Sequence, residues 1–328
     1  MPIRIGSIEL ESPVILAPMS GVSDLPFRKL VKGWGGGLVI SEMIASQAMV
    51  NANQKTLKMI TNCAEEQPMA VQLAGYEPGL MAEAAKMNED RGASIIDINM
   101  GCPVKKIVNK HSGSALMRDL VHARKIIEAT VKAVEIPVTL KMRKGWDEDS
   151  LNAPELAKIA ENEGIQLITV HGRTRCQMYT GTADWRFIRR VTEAVSLPVV
   201  ANGDIRNYDD VSEALAQSGA AGVMIGRGAT GRPWFLAQVA HYLKTGERLP
   251  DPSCAIKAAV VRRHFEDILD HFGSYTGLRI ARKHLGWYSR GYDFSSEFRH
   301  NINKLEDVSL VKNAISAFFD GDWAPEAT

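Results

Sequence analysis

The sequence is short of several features that would have pointed elsewhere. Its four cysteines (Cys63, Cys102, Cys176, Cys254) lie far apart with no C-x-x-C pair, so neither a disulfide framework nor a metal motif is expected. No stretch reaches the roughly 18 consecutive apolar residues that a membrane-crossing helix needs. The opening MPIRIGSIELES carries charges where a secretory signal would be apolar, and a cytoplasmic, reducing setting is the expectation. An excess of either charge is also missing. Lys+Arg 39 against Asp+Glu 38 gives +1, which excludes a globally basic nucleic-acid coat but leaves room for a local basic face. There is no solenoid repeat and no low-complexity segment.

What remains is an ordinary globular composition, 45% hydrophobic and 23% charged over 328 residues, with ample apolar material for a large core. Between residues 14 and 225 a single pattern recurs. Short apolar runs at 14–17, 37–40, 69–73, 95–99, 138–142, 167–171, 199–202 and 222–225 each end in a polar or glycine-rich turn and are followed by a helical stretch. Near-continuous apolar runs suit parallel strands covered on both faces. Leu120, Ala123, Ile127, Thr130 and Val134 form one helical stripe, and Gly92, Gly164 and Gly219 mark helix ends. Eight such units predict an α/β fold, a (β/α)8 TIM barrel. The segment from Ile3 to Leu10 is expected to be a small hairpin plugging the barrel floor. An open doubly wound sheet competes with this reading, but no G-x-G-x-x-G follows the first strand. After the prolines Pro250 and Pro252 the pattern turns wholly helical. Residues 1–245 are therefore assigned to the barrel and 246–328 to a small all-helical C-terminal domain.

In such a barrel the polar residues just past each strand carry the chemistry. Asn202-Gly203-Asp204 and Gly226-Arg227-Gly228 close the last two strands. Either alone is an ordinary turn. As a pair on consecutive strand ends, next to expected helix N-termini, they point to a phosphate-bearing cofactor, with Arg227 adding charge-assisted hydrogen bonds. Lys141 reads as a rim lysine or as a cation holding charge that develops on a ring system; Gln72 and His171 suit directional hydrogen bonds to its edge. Cys63, Cys176 and Cys254 read as inert buried thiols. Cys102, in the loop leaving strand four, is different. A thiol with an ordinary pKa of about 8.5 stays mostly protonated at neutral pH and can donate a proton. Lys105, Lys106, Lys110 and His111 follow it as a basic rim. From His271 to Tyr292 four basic residues and no acidic one occur. There Leu278, Ala281, Leu285 and Tyr288 share one helical face, while Arg279, Lys283 and Arg290 share nearly the opposite one.

These residues make the chain resemble the tRNA-dihydrouridine synthases, within them the bacterial DusB-like group, collinearly over nearly its whole length. The landmarks are Ala17-Pro18-Met19-Ser20-Gly21-Val22-Ser23-Asp24, Ser41-Glu42-Met43, Asp97-Ile98-Asn99-Met100-Gly101-Cys102-Pro103 and Val170-His171-Gly172-Arg173. To these are added Ala201-Asn202-Gly203-Asp204-Ile205, Ile225-Gly226-Arg227 and Arg279-Ile280-Ala281-Arg282-Lys283-His284. Ser20 stands where many relatives carry Ala. The resemblance implies a flavoprotein oxidoreductase using FMN, NADPH as reductant, and reduction of D-loop uridines in tRNA to 5,6-dihydrouridine. FMN contacts then fall on Pro18, Met19, Ser20, Gln72, Lys141, His171, Asn202, Gly203, Asp204, Gly226 and Arg227. Cys102 takes the general-acid position. Asn99 takes that of a uracil contact, and Arg173, Lys105, Lys106, Arg279, Arg282 and Lys283 are expected on the tRNA side. No metal, no membrane contact and no stable protein partner are expected, and a monomer is the default. Two other readings stay open: an FMN barrel reducing a small pyrimidine or enone, and an RNA-binding protein on a barrel scaffold.

Overall fold

The computed structural model describes residues 2–51 and 66–321; Cys63 lies outside them. Eight parallel strands, Val14–Leu16, Leu38–Ile40, Met69–Ala74, Ile95–Met100, Val138–Arg143, Leu167–His171, Val199–Asn202 and Gly222–Ile225, pair in sequence order. The sheet closes because the eighth strand pairs with the first and the second with the third. All eight expected strands are present, so the barrel reading holds and the open-sheet alternative falls. A two-residue strand, Ile44–Ala45, additionally pairs with Met69–Ala74; it is too short to leave a periodic signal.

The pleat sorts side chains onto two faces. Along the fourth strand Ile96, Ile98 and Met100 point outward into the layer shared with the helices. Ile95 points into the barrel, where it meets Ile15, Leu38, Ala70, Leu167, Val200 and Met224. The hairpin Ile3–Ile5 and Ile8–Leu10 forms as expected and pushes Ile3, Ile5 and Leu10 against this same inner layer. The floor is therefore dry, and the open end lies at the carboxyl ends of the strands.

The helix Phe235–Thr245 packs on the barrel. The helices Cys254–Phe272, Ser274–Tyr288, Ser295–Lys304 and Val308–Asp320 bury Val261, Phe265, Leu285, Phe298 and Ile315 in one cluster, which also takes in Trp234. Leu278, Ala281, Leu285 and Tyr288 are buried together, as the helical spacing predicts. Among the described residues no helix is long and apolar enough to cross a membrane.

Arg28, on the helix Leu25–Gly33, is buried against Glu66 at 2.5 Å and donates a further bond to the Ser23 carbonyl at 2.8 Å. Removing one partner of such a pair strands the other charge in the interior. Glu66→Ala is expected to cost about 3–5 kcal/mol of unfolding free energy, read from urea denaturation; a loss under 1 kcal/mol would contradict the assignment.

Candidate active site

The pleat that sends Ile96 and Ile98 outward turns Asp97 and Asn99 inward; the same alternation turns in Gln72, Thr139, Lys141, Arg143, His171 and Asn202. Register then sets Gln72 beside Asp97, Asn99 beside Lys141, and His171 beside Asn202. A string of hydrogen bonds climbs this inner wall. Thr139 Oγ1 donates to Asp97 Oδ1 (2.6 Å), Gln72 Nε2 to Asp97 Oδ2 (2.7 Å) and Asn99 Nδ2 to Gln72 Oε1 (2.7 Å). Its last member, Asn99 Oδ1, accepts from the backbone N–H of Gly101 (3.1 Å) and of Cys102 (2.9 Å). Burial raises the Asp97 pKa against the lowering pull of its Thr139 and Gln72 bonds.

The Cys102 loop is gripped from its other side as well. Arg143 Nε donates to the Gly101 carbonyl (2.8 Å), and Arg143 Nη1 ties down the carbonyls of Thr174 (2.7 Å) and Met178 (2.9 Å). Ser114 Oγ donates to the Cys102 carbonyl at 2.9 Å. Burial pushes the Cys102 thiol up, outweighing the Val104 N–H bond and the charges of Arg143 and Lys141. The sulfur is thus held in its protonated, proton-donating form at neutral pH.

Across the mouth Lys141 Nζ donates to Asn202 Oδ1 at 3.0 Å, and Asn202 Nδ2 to the Met224 carbonyl at 2.8 Å. Burial, with Arg143 nearby, lowers Lys141 to about 8. Burial and the surrounding cations hold His171 well below its ordinary value, so it is neutral. Arg173 Nη1 lies 3.3 Å from His171 Nε2; a guanidinium only donates, which leaves the ring proton on Nδ1.

The last two strand ends form an open cradle. Gly203 sits at φ +116°, where an added Cβ would come within 2.8 Å of His171 Cδ2, so only glycine is accommodated. Among the described residues the N–H groups of Gly203, Asp204 and Gly226 donate to no carbonyl. Arg227 reaches across to Asp204 at 3.2 Å. Together with Pro18, Met19, Ser20, Asn99 and Cys102, these groups face one cavity of about 370 Å³, the size of a small-molecule site.

All eleven residues expected around the cofactor, and Cys102 and Asn99, line this cavity. Others are placed differently. Arg173 is buried and bonded to Asp204 (2.5 Å) and to the carbonyls of Thr180 and Gly181, so it supports the cradle. Burial opposes ionisation of Asp204, yet Arg173 and the Ala183 N–H hold its carboxyl below the usual range. Asn99 spends its oxygen on the Cys102 loop, which makes it a positioning residue first. The expected helix N-terminus at the eighth strand is only the three-residue turn Arg227–Ala229, and Asn207 caps the helix after the seventh. Backbone amides and Arg227 are therefore the anion donors, without a full helix dipole behind the eighth strand.

Lys105 and Lys106 are exposed on the short helix Lys105–Val108 beside Cys102. Arg279 is exposed beside Tyr275. Arg282 turns inward to the Leu305 carbonyl at 3.0 Å, and Lys283 donates to the carbonyl of Gly21; both belong to packing contacts. Cys176 and Cys254 are exposed, contrary to the buried reading. Asp97, Thr139 and Arg143 were absent from the expected set. The inward alternation from Asn99 and Lys141 already marks all three.

Fold and cavity define a (β/α)8-barrel protein with a ligand site at the carboxyl ends of its strands. The dihydrouridine synthase (Dus) family profile matches residues 15–321. A probable tRNA-dihydrouridine synthase of Rickettsia bellii is 58% identical over 318 residues, covering 97% of this chain and 98% of that one. tRNA-dihydrouridine synthase B of Pseudomonas aeruginosa is 44% identical over 317 residues, covering 97% of this chain and 96% of that one. The chain belongs to the dihydrouridine synthase family. Among solved structures, histamine dehydrogenase from Rhizobium sp. 4-9 superposes with a TM-score of 0.58 at 14% identity, over 81% of this chain and 50% of that chain. That likeness concerns the barrel fold alone.

With its pKa raised by burial, Cys102 is expected to resist thiolate chemistry. Iodoacetamide at pH 8, followed by peptide mass spectrometry, should label Cys176 and Cys254 well before Cys102; preferential labelling of Cys102 would contradict the protonated assignment.

Proposed function

We propose that this chain is a tRNA-dihydrouridine synthase that uses FMN and NADPH to reduce the 5,6 double bond of D-loop uridines. The observation that carries the reading is that Cys102, its thiol pushed up by burial, faces the same cavity as Lys141, His171, Gly203 and Gly226. The residues present suit FMN. The cradle offers free amide N–H groups and the Arg227 guanidinium to a phosphate, while Pro18, Met19 and Ser20 offer backbone along a ring system. Lys141 is the cation best placed to offset negative charge on that ring, and the neutral His171 offers a directional hydrogen bond.

When bound, FMN supplies hydride carriage from NADPH to C6 of the uracil ring. The remaining work falls to the chain's own groups. A stacked uridine is out of reach, so the base must be everted into the barrel mouth, at a cost of a few kcal/mol. The Cys102 thiol gives its proton to C5, quenching the negative charge that develops toward the C4 carbonyl. Arg143 and Lys141 are the cations nearest the thiolate left behind, and the hydrogen-bonded string through Asn99 keeps the sulfur's backbone fixed.

tRNA is the partner that accounts for the basic surfaces, which the small-molecule reading leaves idle. Lys105 and Lys106 stand beside Cys102. A second cavity of about 270 Å³ between the eighth strand's turn and the helical domain is lined by Arg206, Arg232, Lys257 and Arg290, with Trp234 and Trp287 among them. Asp251 is its single acid, paired to Arg232 (3.5 Å) and Lys257 (3.3 Å). Guanidinium groups interleaved with aromatic rings suit phosphates and unstacked bases. We place the boundary between barrel and tRNA-binding helical domain at residues 245/246.

Cys102→Ala is expected to retain bound FMN and NADPH oxidation but to lose 10²–10⁴-fold in the rate of dihydrouridine formation in unmodified tRNA. Wild-type turnover in that variant would overturn the assignment. Arg290→Glu should weaken tRNA binding and lower the salt slope of log Kd by about 1 or more without changing flavin content; an unchanged Kd would remove this groove from the interface.

A further inference from the structure

Outside the cavity, one buried cluster is left without a role. Asp24 precedes the helix Leu25–Gly33 of the barrel, His264 lies on Cys254–Phe272, and His284 on Ser274–Tyr288. One ligand atom from each lies within 4.8 Å of the other two, and all three residues are buried. Asp24 Oδ1 is occupied, accepting from the Phe27 N–H at 3.1 Å. Its Oδ2 lies 4.0 Å from His284 Nε2, too far for a hydrogen bond but apt for two ligands sharing one ion.

The histidines have lone pairs to spare. His264 Nε2 and both ring nitrogens of His284 find no hydrogen-bond partner among the described residues. Both side chains are at least nine-tenths buried (1% exposed each), where an unpaired polar atom is costly and rare. His264 Nδ1 lies 2.9 Å from the Tyr288 hydroxyl. A bond at Nδ1 fixes the ring and leaves Nε2 free, as an outer hydrogen-bond partner does for a ligating histidine. Phe27 closes the apolar side, its ring 5.7 Å from each imidazole.

We infer that Asp24, His264 and His284 form a binding site for a divalent transition metal of the zinc class, which ties the helical domain to the barrel. Two imidazole nitrogens and one carboxylate oxygen are a zinc donor set, with a fourth position for water, whereas magnesium and calcium prefer oxygen ligands throughout. The site joins Asp24 to histidines 240 and 260 positions further along the sequence, which is why no spacing motif announces it. It is separate from the catalytic cavity, and its role is structural.

The test uses the full-length, flavin-loaded protein, dialysed against chelator and then incubated with Zn²⁺ and gel-filtered. One equivalent of zinc by elemental analysis and a rise of several degrees in Tm are expected. Asp24→Asn keeps the capping oxygen, and with it the helix start, but removes the anionic ligand; it should weaken zinc at least tenfold while the apo protein stays folded. His284→Gln should do the same. Less than 0.1 equivalent with an unmoved Tm would overturn the site and leave a water-bridged cluster in its place. Undiminished zinc in both variants would overturn it equally. Metal content and Tm are read without tRNA or NADPH, so either outcome is independent of the synthase reading.

Discussion

The side-chain amide of Asn99 is the point where the barrel wall takes hold of the Cys102 loop. Its oxygen accepts from two successive backbone N–H groups at the start of the Cys102 loop, and its nitrogen is anchored through Gln72 and Asp97 to Thr139 in the barrel wall. A loop leaving a strand has few contacts of its own to define it. Here a buried polar string, closed at its far end by a hydroxyl, ties the Cys102 loop to the sheet. Such strings are worth having only when every member is satisfied, and each of these is. Arg143 completes the arrangement by holding the Gly101 carbonyl, so the loop is pinned by donors and acceptors alike.

The mouth is organised by opposing demands. Burial pushes the Cys102 thiol up, while the charges of Arg143 and Lys141 pull it the other way. Burial, helped by the charges of Lys141, Arg143, Arg173 and Arg227, holds His171 well below its ordinary value. Among the described residues lining the cavity Asp204 is the sole carboxylate, and Arg173, Arg206 and Arg227 share it. An incoming phosphate would compete with Asp204 for Arg227, whereas Arg173 remains locked beneath. The C-terminal helices also meet the barrel at this rim, where Lys283 and Glu42 grip the Gly21 backbone from opposite sides.

Much of this was legible in the sequence. Eight apolar runs separated by helical stripes gave the barrel, because parallel strands are covered on both faces and show it in composition. The strand-end residues gave the cavity, because a barrel leaves chemistry nowhere else to go. What escaped was set by tertiary contacts. Arg173 and Arg282 looked like free cations; only the fold brings Asp204 to one and the Leu305 carbonyl to the other. Cys176 and Cys254 looked like buried thiols, since cysteine usually is buried, and their loop and helix-start positions proved exposed. Asp97 was readable, though. It alternates with Ile96 and Ile98, so an acid at that position must face inward, and an inward acid needs partners.

The central claim is that Asn99 acts through Cys102. Single-turnover rates of dihydrouridine formation for Asn99→Ala, Cys102→Ala and the double variant, each loaded with flavin, test it as a thermodynamic cycle. If Asn99 works by placing the thiol, its removal slows the wild-type enzyme at least tenfold yet leaves the Cys102→Ala rate unchanged. Losses that multiply in the double variant would show that Asn99 serves the reaction by another route.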